Sequence, residues 1–333
     1  MVLGRSRNSQ PVTETPSAPP HLPGLVDASE ATIMLDHVSK WYGDIVAVSD
    51  VNFGLGPGVT GLLGPNGAGK STTLKMMAGL QAPSSGSVTV KGHPARGRPE
   101  AYRELGLVSE QEMIYPFLTG REFVRLNAKL QHLPDANEAT ERAIDIVDMQ
   151  YAADRKVGGY SKGMRQRIKI AGALVHDPDV ILMDEPLNGT DPVQRAHIIK
   201  LIRELGRAGK TVVVSSHVLV EVERFAHNII VIINGKLAAA GDFRAIRDRI
   251  DSHDHEVRIR ASDPRQLGAL LIGQPMVRAV RLDRQERLIV ETNDVRSFYQ
   301  VVPTAAQHAN VRLYELQATD ESLTSVFSYL VEN

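Results

Sequence analysis

Short apolar runs alternate with stretches of helical period through the middle of the chain. "GVTGLL", "DVILM" and "NIIVII" have the length of buried strands and are bounded by Gly, Pro or charged residues. Between the later runs, "VQRAHIIKLIRELGRAG" and "VLVEVERFA" carry apolar residues at helical spacing. Because Val- and Ile-rich strands alternate with helices, the pattern predicts an α/β fold with a mainly parallel sheet covered on both faces.

Two regions depart from this pattern within the same part of the chain. Residues 32–58 form two alternating runs separated by Gly and Pro, which predicts an antiparallel β region. "GSVTVKG" and "ELGLVS" are further strand candidates. "REFVRLNAKLQHL" and "EATERAIDIVDM" have helical period, so a helical subdomain is expected over about residues 111–175. The helix predicted after "GVTGLL" carries Leu74, Met77 and Leu80 on one face.

The two ends of the chain differ from its centre. Residues 1–30 are rich in Pro, Ser and polar residues, which predicts a disordered leader. Beyond residue 252, the strands "HEVRIRA", "MVRAVRL", "RLIVET" and "VRLYELQ" alternate with helices in the order β-α-β-β-α-β, followed by "ESLTSVFSYLVE" as a last helix. This order predicts a small ferredoxin-like α+β domain. The expected parts are therefore 1–30, 31–250 and 251–333.

Composition narrows the possible functions. The 333 residues are 42% apolar and 23% charged, and the net charge of -1 gives no basic footprint for nucleic acid. The absence of Cys excludes disulfides, thiolate metal sites and a Cys nucleophile. No apolar run reaches the roughly 18–20 residues that span a bilayer. The N-terminus also lacks the apolar region of a secretory signal.

The stretch "GPNGAGKS" matches the phosphate-loop pattern G-x-x-x-x-G-K-[ST] in full, with a strand before it and a helix after it. Glycines let backbone N–H groups surround a phosphate, and the helix N-terminus adds positive potential. The lysine is expected to reach the β- and γ-phosphates, and the serine hydroxyl to ligate Mg²⁺. The predicted nucleotide contacts are Gly64, Pro65, Asn66, Gly67, Ala68, Gly69, Lys70, Ser71 and Thr72.

A second motif, "VILMDEP", ends an apolar strand with two carboxylates. Open α/β sheets bind ligands at the carboxyl ends of their strands. Asp184 is therefore expected to hold Mg²⁺ and Glu185 to orient or deprotonate the attacking water. Together with Lys70, these residues predict hydrolysis of a nucleoside triphosphate.

The segment "GYSKGMRQRIKIAGALVHDPDVILMDEP" resembles the signature segment of ATP-binding cassette (ABC) ATPases. Ser161 and Gly163 stand in its signature motif, directly upstream of the Asp184 strand. "NGTDP", which includes Asp191, resembles the D-loop of that family, and "SSH" places His217 at its switch histidine. "WYGDIVAV" resembles its adenine-stacking loop. Tyr42 fits the aromatic position there, and the neighbouring Trp41 is the alternative.

The resemblance covers about residues 32–250 and implies a mechanism. Two cassettes are expected to pair head to tail, with each ATP held between one phosphate loop and the other subunit's signature, where Ser161, Gly163 and Asp191 would contact it. His217 would contact the γ-phosphate. The form "SKGM" resembles the branch that exports drugs, antibiotics, lipids or polysaccharides, which implies a separate permease and a position at the cytoplasmic face of the membrane.

Three alternatives stay open at this point. A soluble ABC-type ATPase that acts on ribosomes or DNA is the second candidate function, although such relatives usually carry two cassettes or a long coiled-coil insertion. The working pair is either a homodimer or includes a different cassette. The C-terminal domain either stabilises the dimer or senses a ligand, and its sequence shows no polar cluster that suggests a site.

One departure from the family concerns the metal. The stretch "LVSEQEMIYPFLTG" resembles the Q-loop, whose Gln contacts Mg²⁺ and the attacking water, and which faces the permease. Alignment without gaps on "YP" and "LT" puts Glu110 at that position, and Gln111 follows one residue late. Glu can ligate Mg²⁺ but adds a negative charge and lacks the amide donor. Either Glu110 or, after a one-residue slip, Gln111 is therefore the expected ligand.

Overall fold

The computed structural model describes Val26 and residues 30–111, 114–242, 255–283 and 285–318. The leader predicted over residues 1–30 falls almost wholly outside this part, as does the last helix predicted in "ESLTSVFSYLVE". Among the described residues, no helix has the length and apolar character required to cross a bilayer.

A six-stranded sheet forms the centre of the cassette region, and its strands are connected by helices, as the alternating pattern predicts. The strand order is β10-β9-β3-β8-β7-β6, with the first pair antiparallel and the others parallel. These strands are β3 (Gly58–Leu63), β6 (Leu105–Val108), β7 (Val180–Met183), β8 (Thr211–Ser216), β9 (Asn228–Ile233) and β10 (Lys236–Asp242).

Every residue of β7 and β8 is buried, because both faces of the sheet are covered. Two apolar clusters lie on the two faces, one around Ile170, Ile181 and Val212 and the other around Leu62, Leu74 and Leu182. The helices of this region are α1 (Lys70–Met77), α2 (Pro99–Arg103), α6 (Pro192–Arg207) and α7 (Leu219–Glu223).

The antiparallel region is a separate four-stranded sheet of order β2-β1-β4-β5. Its strands are β1 (Ile33–Tyr42), β2 (Ile45–Leu55), β4 (Ser85–Val90) and β5 (His93–Pro94). The predicted helical region contains α3 (Gly120–Leu130), α4 (Ala136–Ile146), α5 (Lys162–Leu174) and the short 3₁₀ turns Gln150–Ala152 and Val157–Gly159. A capping box between Thr119 and Glu122 fixes the start of α3.

The C-terminal elements have the predicted ferredoxin-like topology. The strand order β12-β13-β11-β14 is antiparallel throughout, and two helices pack against one face. The elements are β11 (His255–Ala261), α8 (Pro264–Leu271), β12 (Val277–Leu282), β13 (Leu288–Thr292), α9 (Val295–His308) and β14 (Leu313–Ala318). The division of the chain into 1–30, 31–250 and 251–333 stays a prediction.

One predicted helical position is wrong. Leu80 was expected on the same helix face as Leu74 and Met77, but α1 ends at Met77 and Leu80 is 64% exposed. Gly79 has a left-handed φ of +67° and turns the chain out of the helix. The helical period therefore does not extend to residue 80.

Strand order determines where the polar motifs meet. β3, β8 and β7 are parallel neighbours, and Leu63 pairs with Ser216 while Met183 pairs with Val214. The residues that follow these strands therefore emerge at the same edge of the sheet. They are the phosphate loop, Asp184 with Glu185, and His217.

Candidate functional site

A polar cavity of about 510 Å³ opens at this edge of the sheet. It is lined by phosphate-loop residues, by Glu185 after β7, by His217 after β8, by Ala47 of β2, and by the loop residues Glu110 and Asn188. The lining residues are Ala47, Asn66, Gly67, Gly69, Lys70, Ser71, Thr72, Glu110, Glu185, Asn188 and His217. The cavity therefore brings together most of the residues predicted from the phosphate-loop, carboxylate and Q-loop motifs.

The phosphate loop has the geometry that its glycines predict. Gly69 is left-handed, with a φ of +104°, and a Cβ there would lie 2.4 Å from the carbonyl oxygen of Ala47. Gly69 is also the N-cap of α1 and offers no side-chain hydrogen bond to the first turn. The first N–H groups of α1 therefore face an anion site without a competing side-chain acceptor.

Lys70 is buried and directs its ammonium group back toward the loop. Nζ donates to the carbonyl oxygens of Gly64 at 2.8 Å and Pro65 at 3.1 Å, and it lies 3.6 Å from Oε1 of Glu185. Pro65 and Ala68 support this loop through their backbone: the Ala68 N–H donates to the Pro65 carbonyl, and Gly235 donates to that of Ala68. The loop thus presents a fixed positive charge at the cavity wall.

Asp184 is buried at the end of β7 and accepts two hydroxyl hydrogen bonds on one oxygen. Ser71 Oγ donates to Oδ1 at 3.1 Å, and Ser215 Oγ donates to the same atom at 2.7 Å. Ser215 also accepts a hydrogen bond from the backbone N–H of Glu185 at 2.8 Å. Ser215 therefore holds both carboxylate residues, although it is not among the predicted site residues.

Glu185 combines strain, burial and a histidine partner. Its φ of +47° is left-handed, which a non-glycine residue adopts only when its surroundings enforce it. Oε2 lies 3.0 Å from Nδ1 of His217. Burial raises the pKa of the Glu185 carboxyl, and the charges of His217 and Lys70 oppose that rise. A carboxylate whose pKa is raised accepts a proton more readily, as a general base must.

The oxygen-rich edge of the cavity suits Mg²⁺. Among the described residues, no group of three or more His, Asp or Glu side chains converges into a cage for a metal ion. The hydroxyl of Ser71 and the carboxylate of Asp184 nevertheless meet at 3.1 Å, and Glu110 lines the same cavity. Mg²⁺ is a hard cation that takes few protein oxygens and completes its shell with water and phosphate oxygens. These three residues fit such a site.

Glu110 and Gln111 differ in position. Glu110 lines the cavity, and its Oε1 lies 3.5 Å from the amide nitrogen Nδ2 of Asn188, whereas Gln111 is not part of the lining. The ungapped alignment that selects Glu110 is therefore the one that the geometry favours. Asn188 and Ala47 also belong to the lining, and neither was selected as a site residue by the motif analysis.

The three nucleotide contacts predicted from the signature and D-loop resemblance lie outside the cavity lining. Ser161 caps α5, its hydroxyl accepting from the N–H of Met164 at 3.2 Å, and Asp191 caps α6 by accepting from Val193 and Gln194. Gly163 has a packing reason within the chain, because a Cβ there would lie 2.5 Å from Cγ of Gln194. Their contact with ATP stays a prediction that requires a second subunit.

The two candidates for the adenine-stacking position also lie outside the cavity lining. Trp41 and Tyr42 are 45% and 46% exposed, and neither side chain lines the cavity. Lys40 Nζ is 5.3 Å from the centroid of the Tyr42 ring. Tyr42 and the alternative Trp41 therefore both remain candidates for the base.

We expect Ser215→Ala to lower the ATP hydrolysis rate about tenfold, because Asp184 and the Glu185 backbone would each lose a buried hydrogen-bond partner. The measurement is steady-state phosphate release at saturating MgATP. Ser216→Ala is the matched control, since Ser216 is equally buried but contacts Glu221 and Val218 instead. Equal rates in the two variants would contradict the assigned role of Ser215.

Comparison with known proteins supplies the family context. A protein-family model described as "ABC transporter" matches residues 48–188. The linearmycin resistance ATP-binding protein of Bacillus subtilis is 36% identical over 214 residues, which cover 63% of this chain and 68% of that protein. The Nod factor export ATP-binding protein I of Burkholderia pseudomallei is 37% identical over 245 residues, or 72% and 80% of the two chains.

Solved structures agree with this match. A dimeric bacterial ABC transporter cassette is 30% identical and superposes with a TM-score of 0.59, covering 64% of this chain and 99% of its own. A dimeric post-hydrolysis cassette bound to ADP and Pi is 28% identical, with a TM-score of 0.58 and coverage of 64% and 99%.

Proposed function

Because this chain belongs to the ABC transporter family and is an ATP-hydrolysing, nucleotide-binding subunit of its exporter type, we propose that it binds MgATP in the cavity, pairs with a second cassette around the nucleotide, and drives a separate permease. The observation that carries the site assignment is the cavity itself. It unites the phosphate loop, Glu185 and His217 at one edge of the sheet.

The chemistry follows from the positions of the side chains. The N–H groups at the start of α1 and the ammonium of Lys70 hold the phosphates. Glu185 orients the attacking water and accepts its proton. His217, whose Nδ1 lies 3.0 Å from Oε2 of Glu185, holds that carboxylate in place. Mg²⁺, held by Ser71, Asp184 and Glu110, would neutralise phosphate charge. Positioning and charge stabilisation thus suffice, without a covalent intermediate.

A second cassette would complete the site. Ser161 opens α5 at an exposed position, and the α5 N-terminus offers N–H groups and positive potential to an anion from outside the subunit. Solved relatives of this chain are dimeric cassettes. We therefore propose that Ser161, Gly163 and Asp191 contact the nucleotide bound by the partner. Tyr42 would stack on the adenine of the subunit's own ATP.

The permease is proposed to dock beside the Q-loop. A groove of about 370 Å³ lies between the central sheet and α3, and its lining includes Leu80, Tyr102 and Phe123. The aromatic rings of Tyr115 and Phe117 are exposed nearby in the chain and lie 5.8 Å apart. Apolar and aromatic side chains exposed together are typical of protein interfaces. The subunit would then work at the cytoplasmic face of the membrane.

Purification from native membranes in mild detergent tests the proposed function. We expect a polytopic membrane protein to co-purify with the full chain, and ATPase activity to rise when that protein is reconstituted with the chain. The alternative of a ribosome- or DNA-directed ATPase has no support in the two relatives described above, which are named for resistance and export. Stimulation by ribosomes or DNA, with no membrane protein retained, would overturn the exporter proposal.

Glu110→Gln and Gln111→Ala separate the two candidates for the Q-loop ligand. If Glu110 is the ligand, Glu110→Gln retains or raises the hydrolysis rate, since an amide oxygen can still ligate Mg²⁺ and a negative charge near Asp184 is removed. Gln111→Ala then changes the rate less than about twofold. Steady-state kinetics over a range of Mg²⁺ concentrations is the measurement. A severe loss in Gln111→Ala alone would transfer the role to Gln111.

The C-terminal domain is proposed to stabilise the dimer. A ligand-sensing role is the alternative, and the sequence of this domain shows no polar cluster that suggests a ligand site. Whether the working pair is a homodimer or contains a different cassette is decided by the same purification.

A further inference from the structure

Lys169 is a buried cation in the middle of α5, within the segment that resembles the ABC signature but outside the signature motif itself. It is 8% exposed, and its Nζ donates to the carbonyl oxygens of Ser109 and, at 3.0 Å, of Gln111. These carbonyls flank Glu110 on both sides. The ammonium group therefore holds the Q-loop backbone on both sides of Glu110, which among the described Q-loop residues is the one that lines the nucleotide cavity.

The same lysine lies close to the catalytic carboxylate. A second, smaller cavity of about 130 Å³ is lined by Glu110, Lys169 and Glu185, together with Asn188 and the α5 residues Lys162, Arg165 and Gln166. Asn188 also approaches Glu110, with its Nδ2 3.5 Å from Oε1. Thus α5 holds the backbone of the two neighbours of Glu110, and the loop after Glu185 approaches its carboxylate.

Burying an ammonium group is unfavourable unless its charge is compensated by hydrogen bonds or by an opposite charge. The carbonyls of Ser109 and Gln111 supply two such hydrogen bonds to Lys169. Two backbone carbonyls bonded to one buried ammonium are restrained relative to α5, so the segment between them opens less readily. Burial and geometry together make the Lys169 contact a constraint on Glu110.

We propose that Lys169 is a positioning residue for ATP hydrolysis, which acts by fixing the backbone on both sides of Glu110 and so the reach of its carboxylate into the cavity. This inference rests on the proposed role of Glu110 at the nucleotide. Through Lys169, the helix α5, which begins with the signature motif, thus contacts the Q-loop of its own subunit directly.

The first test is a double-mutant cycle of Lys169→Met and Glu110→Ala in the full chain. Lys169→Met keeps the length and apolar volume of the stem. We expect it to lower kcat about tenfold and to change the KM for ATP less than about twofold, since misplacement of a catalytic group affects turnover while the phosphate loop is untouched. In the Glu110→Ala background, Lys169→Met should lower kcat by no more than about twofold further.

Two controls separate positioning from a general effect on folding. Lys169→Arg retains donors for the carbonyls and should recover most of kcat, whereas the exposed Lys129→Met on α3 should leave it unchanged. Hydrogen exchange in nucleotide-free protein gives a readout independent of hydrolysis. In Lys169→Met, the amides of residues 109–111 should exchange faster, while those of β7 and β8 keep their protection.

Two results would overturn the inference. One is an equal loss of kcat from Lys169→Met in the Glu110 and Glu110→Ala backgrounds. The other is unchanged exchange of residues 109–111. Failure of the underlying function is distinguishable: if Glu110→Ala hydrolyses ATP at the rate of the unmodified chain while Glu185→Gln is inactive, the ATPase mechanism stands and only the Lys169 role falls.

Discussion

Glu185→Gln is expected to lower the rate of ATP hydrolysis about 10²- to 10³-fold while ATP binding is retained, because general-base catalysis contributes on that scale. The amide keeps the shape of the side chain but does not accept the proton of the attacking water. Glu185 lies 3.0 Å from His217 and 3.6 Å from Lys70, so the substitution also removes the negative charge that faces the Lys70 ammonium and the His217 ring. Phosphate release measures the rate, and fluorescence of the single Trp41 beside the proposed base site measures nucleotide binding.

The exposed Glu204 on α6 provides the matched control for this substitution. Glu204→Gln removes the same charge at a site that faces solvent, and it should leave hydrolysis within about twofold of the unmodified chain. A Glu185→Gln variant that hydrolyses ATP at more than a tenth of the original rate would show that another group activates the water.

Lys70→Met is expected to weaken MgATP binding by about 100-fold or more, because the buried ammonium is the fixed positive charge of the phosphate loop. Charge-assisted hydrogen bonds to phosphate are stronger than neutral ones, and inside a cavity they are little screened by solvent. Nζ donates to the carbonyls of Gly64 and Pro65, so its loss also removes a buried hydrogen-bond donor from these oxygens. Titration with MgATP under Trp41 fluorescence gives the dissociation constant.

Lys75→Met, one turn further along α1 and exposed, is the control for this variant. It should bind MgATP as the unmodified chain does. Both variants must also show a thermal unfolding transition, which establishes that they are folded. Tight MgATP binding by a folded Lys70→Met variant would contradict the assignment of this cavity to the triphosphate.

Much of the site was predictable because its parts are local in sequence. An apolar strand followed by "GPNGAGKS", and another followed by Asp184 and Glu185, each carry their structural context with them. Parallel pairing of β3, β8 and β7 then brings both to one edge. The ferredoxin-like order of β11 to β14 was predictable for a related reason, since alternating strands and helices largely determine that topology.

Other parts depend on contacts that no single segment encodes. Ser215 and Lys169 act through side-chain hydrogen bonds to distant loops, and only the packing of β8 and α5 brings them there. The sequence signal for Ser215 was its place two residues before His217. For Lys169 the only sequence signal was a charged residue among the apolar positions of a helix. Leu80 followed the helical period, yet the positive φ of Gly79 ended the helix first.

Gly163 shows a different limit of motif reasoning. Its place in the signature resemblance suggested a contact with an incoming anion, because glycine is a poor residue at a helix start. The structure supplies a second cause in the close approach of Gln194 from α6. The motif alone pointed to the contact with a second subunit, and only the packing of α5 against α6 shows the role within the subunit.

The molar mass of Glu185→Gln in the presence of saturating MgATP tests the central claim most directly. If ATP is held between two cassettes and hydrolysis releases them, light scattering should give about twice the 36.4 kDa of one chain with MgATP and the single-chain mass without it. Ser161→Arg in the same background should restore the single-chain mass, because it blocks the exposed start of α5. A Glu185→Gln protein that binds MgATP and still has the mass of one chain would contradict the account.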